Sequence, residues 1–520
     1  MVVLNPAWKD QLRRRIRDPD DGLLKAAVLA ATALSLWLIW RWAYPPLVDA
    51  ANVAYTGEVM HDLWGGGHHY AHWHALRRGA VSHMAFYGAY HLLRTFLPPM
   101  VTVKMLVTLG VLGLPAASYW LTRALRLSPW LCLPAFALAF NTNLSMGYLP
   151  FVVGIPLLPV ALALIETNRQ QPRKWRWGLL VALVALSPFV HFFLTAVLLP
   201  MVMVWLIFSY SGRARIIACA AAGLGLGSVA IWFATSQRIP PFREIFQWVP
   251  YSERWDQFDR DVLNWTTDGN VALSFPWLLV AFVAVLMLTR GTPRSEPGLR
   301  GARLPLTLLT LFLLYMLGPM YISWPEPAWG FGVRVGIAFA LLLPLAATTS
   351  AQGWHRLAQY SPWVAFTFWH LCSLLGPFQA YDVAVGPLAT LLATVPKYST
   401  ILPLVGSEWM KDPKRYSFGG FTGFALRHVA NWSAVETQSY QPFSFCDMSY
   451  HPIVCLNRPS VPRDPQWTYH IAPEALRQFD FMVAYENTPH VKSQLRTLPM
   501  TLVKRAGDWS LWKSEGAGRP

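Results

Sequence analysis

Apolar runs about 20 residues long, separated by short polar breaks, fill the first three quarters of the chain. At 1.5 Å of rise per residue a helix of that length crosses roughly 30 Å, the thickness of bilayer hydrocarbon. The pattern predicts transmembrane helices over 24–44, 101–122, 128–142, 146–166, 177–190, 192–210, 215–234, 271–289, 304–322, 332–349 and 361–378, about eleven in all. A single helix over 177–210 would reach roughly 50 Å and overshoot the membrane, so this stretch reads as two short helices meeting at Pro188 and His191. The first run is too long for a cleavable signal and continues into Trp-rich sequence rather than a small-residue cleavage site, so it stays as the first span.

Composition agrees with a polytopic α-helical membrane protein. Apolar side chains make up 54% of the 520 residues and charged ones 13%, with 26 Trp. Mean hydropathy is +0.32, beyond what a soluble core of this size needs. With spans alternating in direction, the basic clusters at Arg13–Arg17, Arg123 and Arg126, Arg169–Arg176, Arg213 and Arg215, and Arg290–Arg303 all fall on one side. Short cytoplasmic loops collect Lys and Arg, which places the amino terminus inside and, with an odd number of spans, the carboxyl terminus outside. The net charge of +16 is then a consequence of topology and gives no reason to invoke nucleic acid.

Three stretches on the outer side are long enough to carry chemistry: 45–99, 235–270 and 381–520. The division that follows is a cytoplasmic segment 1–23, a transmembrane domain 24–378 with outer loops 45–100 and 235–270, and a small outer α/β domain 379–520. The last has a helical stretch at 383–394, strand-like runs at 399–405, 452–456, 479–485 and 510–513, and no nucleotide-cradling glycine motif. Cys446 and Cys455 flank a short turn-like segment there. In an oxidising compartment they pair as a disulfide, the alternative being two separate buried thiols. Cys132, Cys219 and Cys372 fall within spans and read as inert core residues.

Asp49 follows directly on the first span, where bilayer surface, lipid head group and water meet, and a carboxylate can do proton or metal chemistry there. Pro46-Leu47-Val48-Asp49, the segment after it, Phe140-Asn141 leading to Gly147-Tyr148-Leu149-Pro150-Phe151, Leu186 to His191 followed by Phe192-Phe193, Arg334 opening a late span, and the ending Phe479–Val483 with Trp509–Trp512 form an ordered set. This set resembles bacterial polytopic proteins of the GT-C glycosyltransferase superfamily over nearly the whole chain. The resemblance implies a multi-pass protein of the bacterial inner membrane. It also implies a polyprenyl-phosphate-linked sugar as donor, transfer on the outer face with inversion at the anomeric carbon, and an acid of the first outer loop as base.

The residues fit that chemistry. A lipid phosphate is already a good leaving group, so such an enzyme deprotonates an acceptor hydroxyl, aligns the reacting atoms and neutralises the departing phosphate. Asp49 is the candidate base; the competing role is N-cap of the helical segment 50–63, and the two are compatible. Many such transferases carry paired acids in this loop, whereas here Asp49 stands alone. Glu58 and Asp62, one helical turn apart, are either secondary acids or the solvated side of an interfacial helix whose other face holds Val53, Met60 and Leu63.

The segment 65–74 is unusually rich in Gly and His. His68 and His72 at helical spacing can bind a divalent metal such as zinc together with Asp62 or His61; the alternative is a head-group-level patch on a flexible turn. No HExxH pattern supports a metalloprotease. For the donor phosphate, Arg334 is the first candidate, since a guanidinium at the opening of a span is costly unless it meets an anion or a cavity. Arg243 and Arg254 in the second outer loop and His191 at an outer turn complete the set. A transporter of lipid or glycan is the competing class; no internal repeat and few mid-span charges support it.

Overall fold

The computed structural model describes residues 19–78, 82–235, 246–263, 302–322, 328–346, 354–405, 428–447, 451–457, 476–486 and 492–514, apart from 494 and 497. Four helical stretches among them are long and apolar enough to cross a membrane: Gly22–Trp40, Pro99–Ala124, Leu149–Gln170 and Phe192–Ser209. Arg303–Leu317 and Phe331–Ala346 are shorter apolar helices. The chain is thus a helical, multi-pass membrane protein. Among the described residues, the first four helices are α1 (Pro19–Trp40), α2 (Ala50–Trp64), α3 (Met84–Arg94) and α4 (Pro99–Ala124). The expected span at 271–289 lies outside the described residues.

The expected span at 128–142 takes another form, while the 177–210 stretch is two short helices as expected. Residues 128–142 make no single helix: a 3-10 turn at Pro129–Cys132 leads to a helix at Pro134–Ala139, and Asn141 then caps a short turn at Thr142–Ser145. Pro129 and Pro134 each remove an amide donor and restart the helix, so the segment is a buried, broken connection. The 174–209 stretch divides at His191, which has extended backbone, while Pro188 stays inside the Lys174–Val190 helix.

Buried charge ties the spans together. Glu166, fully buried, bonds Arg169 at 3.0 Å, Arg303 at 3.1 Å and the indole N–H of Trp205 at 2.9 Å, joining the helices Leu157–Gln170, Phe192–Ser209 and Arg303–Leu317. Removing one partner of such a buried set costs about 3–5 kcal/mol, because the remaining charge is left without compensation.

β2 (Phe246–Gln247), β3 (Tyr321–Ile322) and β4 (Ala328–Trp329) form a small sheet, and the carboxyl-terminal part carries a four-stranded mixed sheet of β5 (Ile401–Val405), β7 (Phe481–Tyr485), β9 (Trp509–Ser514) and β8 (Met500–Ala506), in that order. β5 and β7 run parallel and the other pairs antiparallel, with a bulge between Leu502 and Lys504. Alternation sends Ile401, Val405, Phe481, Val483, Tyr485, Trp509 and Leu511 into the same core as the membrane helices. Leu402, Leu404, Met482 and Ala484 face a second, smaller cluster. The boundary expected between 378 and 379 falls inside the helix Leu375–Val385, and the expected helix at 383–394 is interrupted before Leu388–Leu392. Pro387, lacking an amide proton, restarts the chain there. β6 (Ile453–Cys455) leaves this region altogether and pairs antiparallel with β1 (His74–Leu76), in the segment between α2 and α3.

Candidate active site

The chain leaving α1 is fixed to the bundle by backbone and lysine contacts. Lys104 of α4 donates to the carbonyl of Trp42 at 2.6 Å, and the amide of Ala43 donates to Asp382 Oδ1 at 2.9 Å. Val48 and Asp49 then donate their amides to the carbonyls of Ser145 and Met146. Gly147 comes next, at φ +74°, where an added Cβ would lie 2.6 Å from the amide nitrogens of both Asp49 and Ala50. Only glycine allows this approach, so the 141–148 loop acts as a template for the residue that opens α2.

Asp49 occupies the N-cap position of α2, yet its carboxylate makes no capping hydrogen bond. Oδ1 instead lies 3.4 Å from Nε2 of His428, and the side chain is 18% exposed, so it does not point into bulk water. From His428 a series of rings leads around the site. Phe445 packs against both His428 and His451, at 5.6 and 5.5 Å between centroids. The His83 ring lies tilted against that of His191, 4.6 Å between centroids, and the His191 ring lies near Phe151 and Phe193.

Arg334 closes the series. Its guanidinium carbon sits 4.3 Å from the ring centre of Tyr148, 4.6 Å from Phe193 and 5.5 Å from Phe151, and Nη1 donates to Gly330 O at 2.9 Å. Tyr148 follows directly on the glycine that touches Asp49, and Asn143 of the same loop donates to Val333 O at 3.3 Å. The acid and the guanidinium therefore lie on one structural unit. Burial, with the Arg334 charge second, pushes His83 down to about 3, and burial with His83 and Arg77 holds His451 well below the usual imidazole range. Both rings are neutral at physiological pH.

The remaining candidates fall elsewhere. Glu58 is 2% exposed and bonds Arg94 Nε at 2.6 Å and Tyr90 Oη at 2.9 Å. α2 is buried on every side from Ala50 through Met60, so the interfacial-helix reading is corrected: α3 and the carboxyl-terminal segments cover the face expected to be wet. Asp62 Oδ2 accepts the amide of Tyr70 at 3.1 Å and its carbonyl accepts the amide of Gly67, which folds the glycine turn. His68 and His72 are exposed and lie in turns rather than on a helix, so their sequence spacing does not place them on one face. Arg254 is 1% exposed and donates to the carbonyls of Tyr315 and Gly318 at the end of the Arg303–Leu317 helix, a C-capping position rather than a ligand contact. Arg243 lies outside the described residues.

His83, His428, His451 and Tyr148 escaped the sequence reading of the site. Only Tyr148 had a local signal, its place beside Gly147 and Pro150; the histidines come together through tertiary packing. A cavity of about 320 Å³ opens between Tyr44, Ala389, Leu392, Glu436 and Thr437; Asp49 and Arg334 are not among its lining residues. Burial, reinforced by Glu58, raises the Glu436 carboxyl.

The fold is similar to a solved structure. ArnT from Cupriavidus metallidurans in the apo state aligns over 96% of this chain and 99% of its own, with a TM-score of 0.50 and 14% sequence identity. The fold is like that of ArnT. ArnT from the same organism bound to undecaprenyl phosphate aligns with a TM-score of 0.48 at 12% identity, over 96% of this chain and 99% of that one. The arabinofuranosyltransferase AftD from Mycobacteria aligns with a TM-score of 0.43 at 14% identity, over 94% of this chain and 40% of that one. No family model matches this chain, and no curated protein does.

Proposed function

We propose that this protein is a membrane glycosyltransferase that moves a sugar from a polyprenyl-phosphate donor to an acceptor hydroxyl at the outer bilayer surface. One observation carries the proposal: the 141–148 loop holds Asp49 by backbone hydrogen bonds and, one residue after Gly147, lays Tyr148 against Arg334. A base for the acceptor and a cation for the leaving group are the two charges such a displacement needs.

In this proposal Asp49 takes the proton of the acceptor hydroxyl, and His428 beside Oδ1 orients the carboxylate. The acceptor oxygen attacks the anomeric carbon, the bond from that carbon to the phosphate oxygen breaks, and configuration inverts. Arg334, with neutral imidazoles next to it, takes up the charge that develops on the departing polyprenyl phosphate. His191 positions the aromatic wall behind Arg334 by accepting the Phe193 amide at 3.2 Å. The amino terminus lies in the cytoplasm of a bacterial cell, and the carboxyl-terminal sheet lies outside the inner membrane. Glu58 and Asp62 hold structure and transfer no proton.

The test is transfer of labelled sugar from a polyprenyl-phosphate donor in membranes containing the wild-type chain or Asp49→Asn. Loss of about 10²-fold or more is expected for removal of a general base. Undiminished turnover overturns the assignment.

A further inference from the structure

The His-rich segment between α2 and α3 does contribute to a cluster of metal-binding type, through His74 rather than His68 or His72. One ring nitrogen of His74 and the sulfurs of Cys446 and Cys455 all lie within 4.8 Å of one another. The β1–β6 pairing produces this convergence, because His74 sits directly across from Cys455 in the register. His74 is 2% and Cys446 1% exposed, so the cluster is interior. The two cysteines are joined as a disulfide, with Cα atoms 5.3 Å apart. That Cα separation also suits two thiolates on one tetrahedral ion.

We propose that His74, Cys446 and Cys455 form a zinc site that the disulfide closes and a dithiol reductant opens. Two thiolates and an imidazole make a soft donor set that selects zinc over magnesium or calcium. Outer contacts of the kind that orient ligands are in place: the Tyr55 hydroxyl meets His74 Nε2 at 3.0 Å, and Ser444 Oγ donates to Cys446 Sγ at 2.9 Å. In the opening step the dithiol gives two electrons to the Cys446–Cys455 bond, which becomes two thiols, and the reductant leaves as its own disulfide. Zinc then displaces a proton from each thiol and takes the His74 nitrogen, with a water completing four ligands. The disulfide ties β6 to the Phe445–Asp447 turn, and a metal would also tie in β1 through His74, with Tyr55 of α2 behind it. This inference does not depend on the proposed glycosyl transfer.

The experiment uses the full chain in detergent, reduced with dithiothreitol, desalted without oxygen and titrated with Zn²⁺ alone; bound zinc is counted by mass spectrometry. One zinc per reduced chain and none per oxidised chain is expected. Replacing Cys132, Cys219 and Cys372 together by Ser keeps the uptake, whereas Cys455→Ser and His74→Gln each weaken it at least tenfold. His74→Gln is also assayed for its melt in the oxidised state, where the disulfide is intact, so a folding failure is distinguished from loss of a ligand. In the reduced chain, Co²⁺ should show thiolate charge-transfer absorption that Cys455→Ser removes. Zinc uptake that ignores Cys455 and His74, or no uptake after reduction, overturns the proposal.

Discussion

At the scale of single residues, the site sets the permanent charge of Arg334 among aromatic rings and imidazoles that stay neutral. Arg334 is 4% exposed, and the rings nearest it are aromatic or imidazole. His83, at 8% exposure and φ +70°, is pushed down to about 3 by burial and by that guanidinium, with the His191 ring tilted against it and His451 within electrostatic reach. The sign follows directly. The unfolded chain protonates this histidine near pH 6.5 and the folded chain does not until about 3, so between those values the unfolded state binds the extra proton. Stability from His83 is fully present above about pH 6.5 and is lost as pH falls toward 3. His83→Asn removes the titration, and Asn tolerates a left-handed backbone well. Its unfolding free energy in detergent should fall less steeply on acidification, by about 1.4 kcal/mol per pH unit at most. Parallel pH curves for wild type and variant would contradict the assignment.

At the scale of elements, the short loop after the broken 128–142 segment organises the site more than any long helix does. Asn141 Oδ1 accepts the amides of Asn143 and Leu144, which winds the turn and delivers Gly147 to the backbone of Asp49. Gly147→Ala adds a left-handed backbone penalty and a clash with main-chain nitrogen that no flexible side chain can relieve; together these cost roughly 3 kcal/mol. Gly66→Ala is the control, since Gly66 has φ +76° with open space around its Cβ direction and should lose only about 1 kcal/mol. Melting of both variants, with transfer activity measured alongside, checks this: Gly147→Ala should lower both, Gly66→Ala neither by much. The spans Pro99–Ala124 and Phe192–Ser209 were legible because hydropathy is a one-dimensional property of the chain. Asp49 and Arg334 were legible because each is a charge at the end of an apolar run. The partner of Asp49 was not, since His428 comes from a segment that no local periodicity connects to α2. The same distance in sequence hid the wet-to-buried reversal of α2, whose polar positions Asn52 and Glu58 look solvated until Asn431 and Arg94 bond them.

At the scale of the whole molecule, the carboxyl-terminal sheet and the apolar helices share one interior. Trp509 is fully buried, stacks near Tyr485 at 4.7 Å and donates its indole N–H to Ala384 O at 2.9 Å, so β9 is pinned to the helix that continues out of the bundle. Asn431 donates to Asn52 at 2.6 Å within α2's first turn, close to the residue proposed as base. A carboxyl-terminal part bound in this way completes the membrane core instead of hanging from it as an independent appendage. Burial of each of Phe481, Val483, Trp509 and Leu511 contributes about 1.5–3 kcal/mol, so losing all four removes an amount comparable to the roughly 5–15 kcal/mol that keeps a domain folded. A chain ending at residue 398 should therefore fail to give a monodisperse particle in detergent, while the full chain gives one with a single cooperative melt. Segment 399–520 expressed alone should likewise stay unfolded, because one face of its sheet has nothing to cover it. Size-exclusion chromatography and thermal melts of the three chains read this out, and a well-folded 1–398 fragment would show that the two parts are separate domains after all.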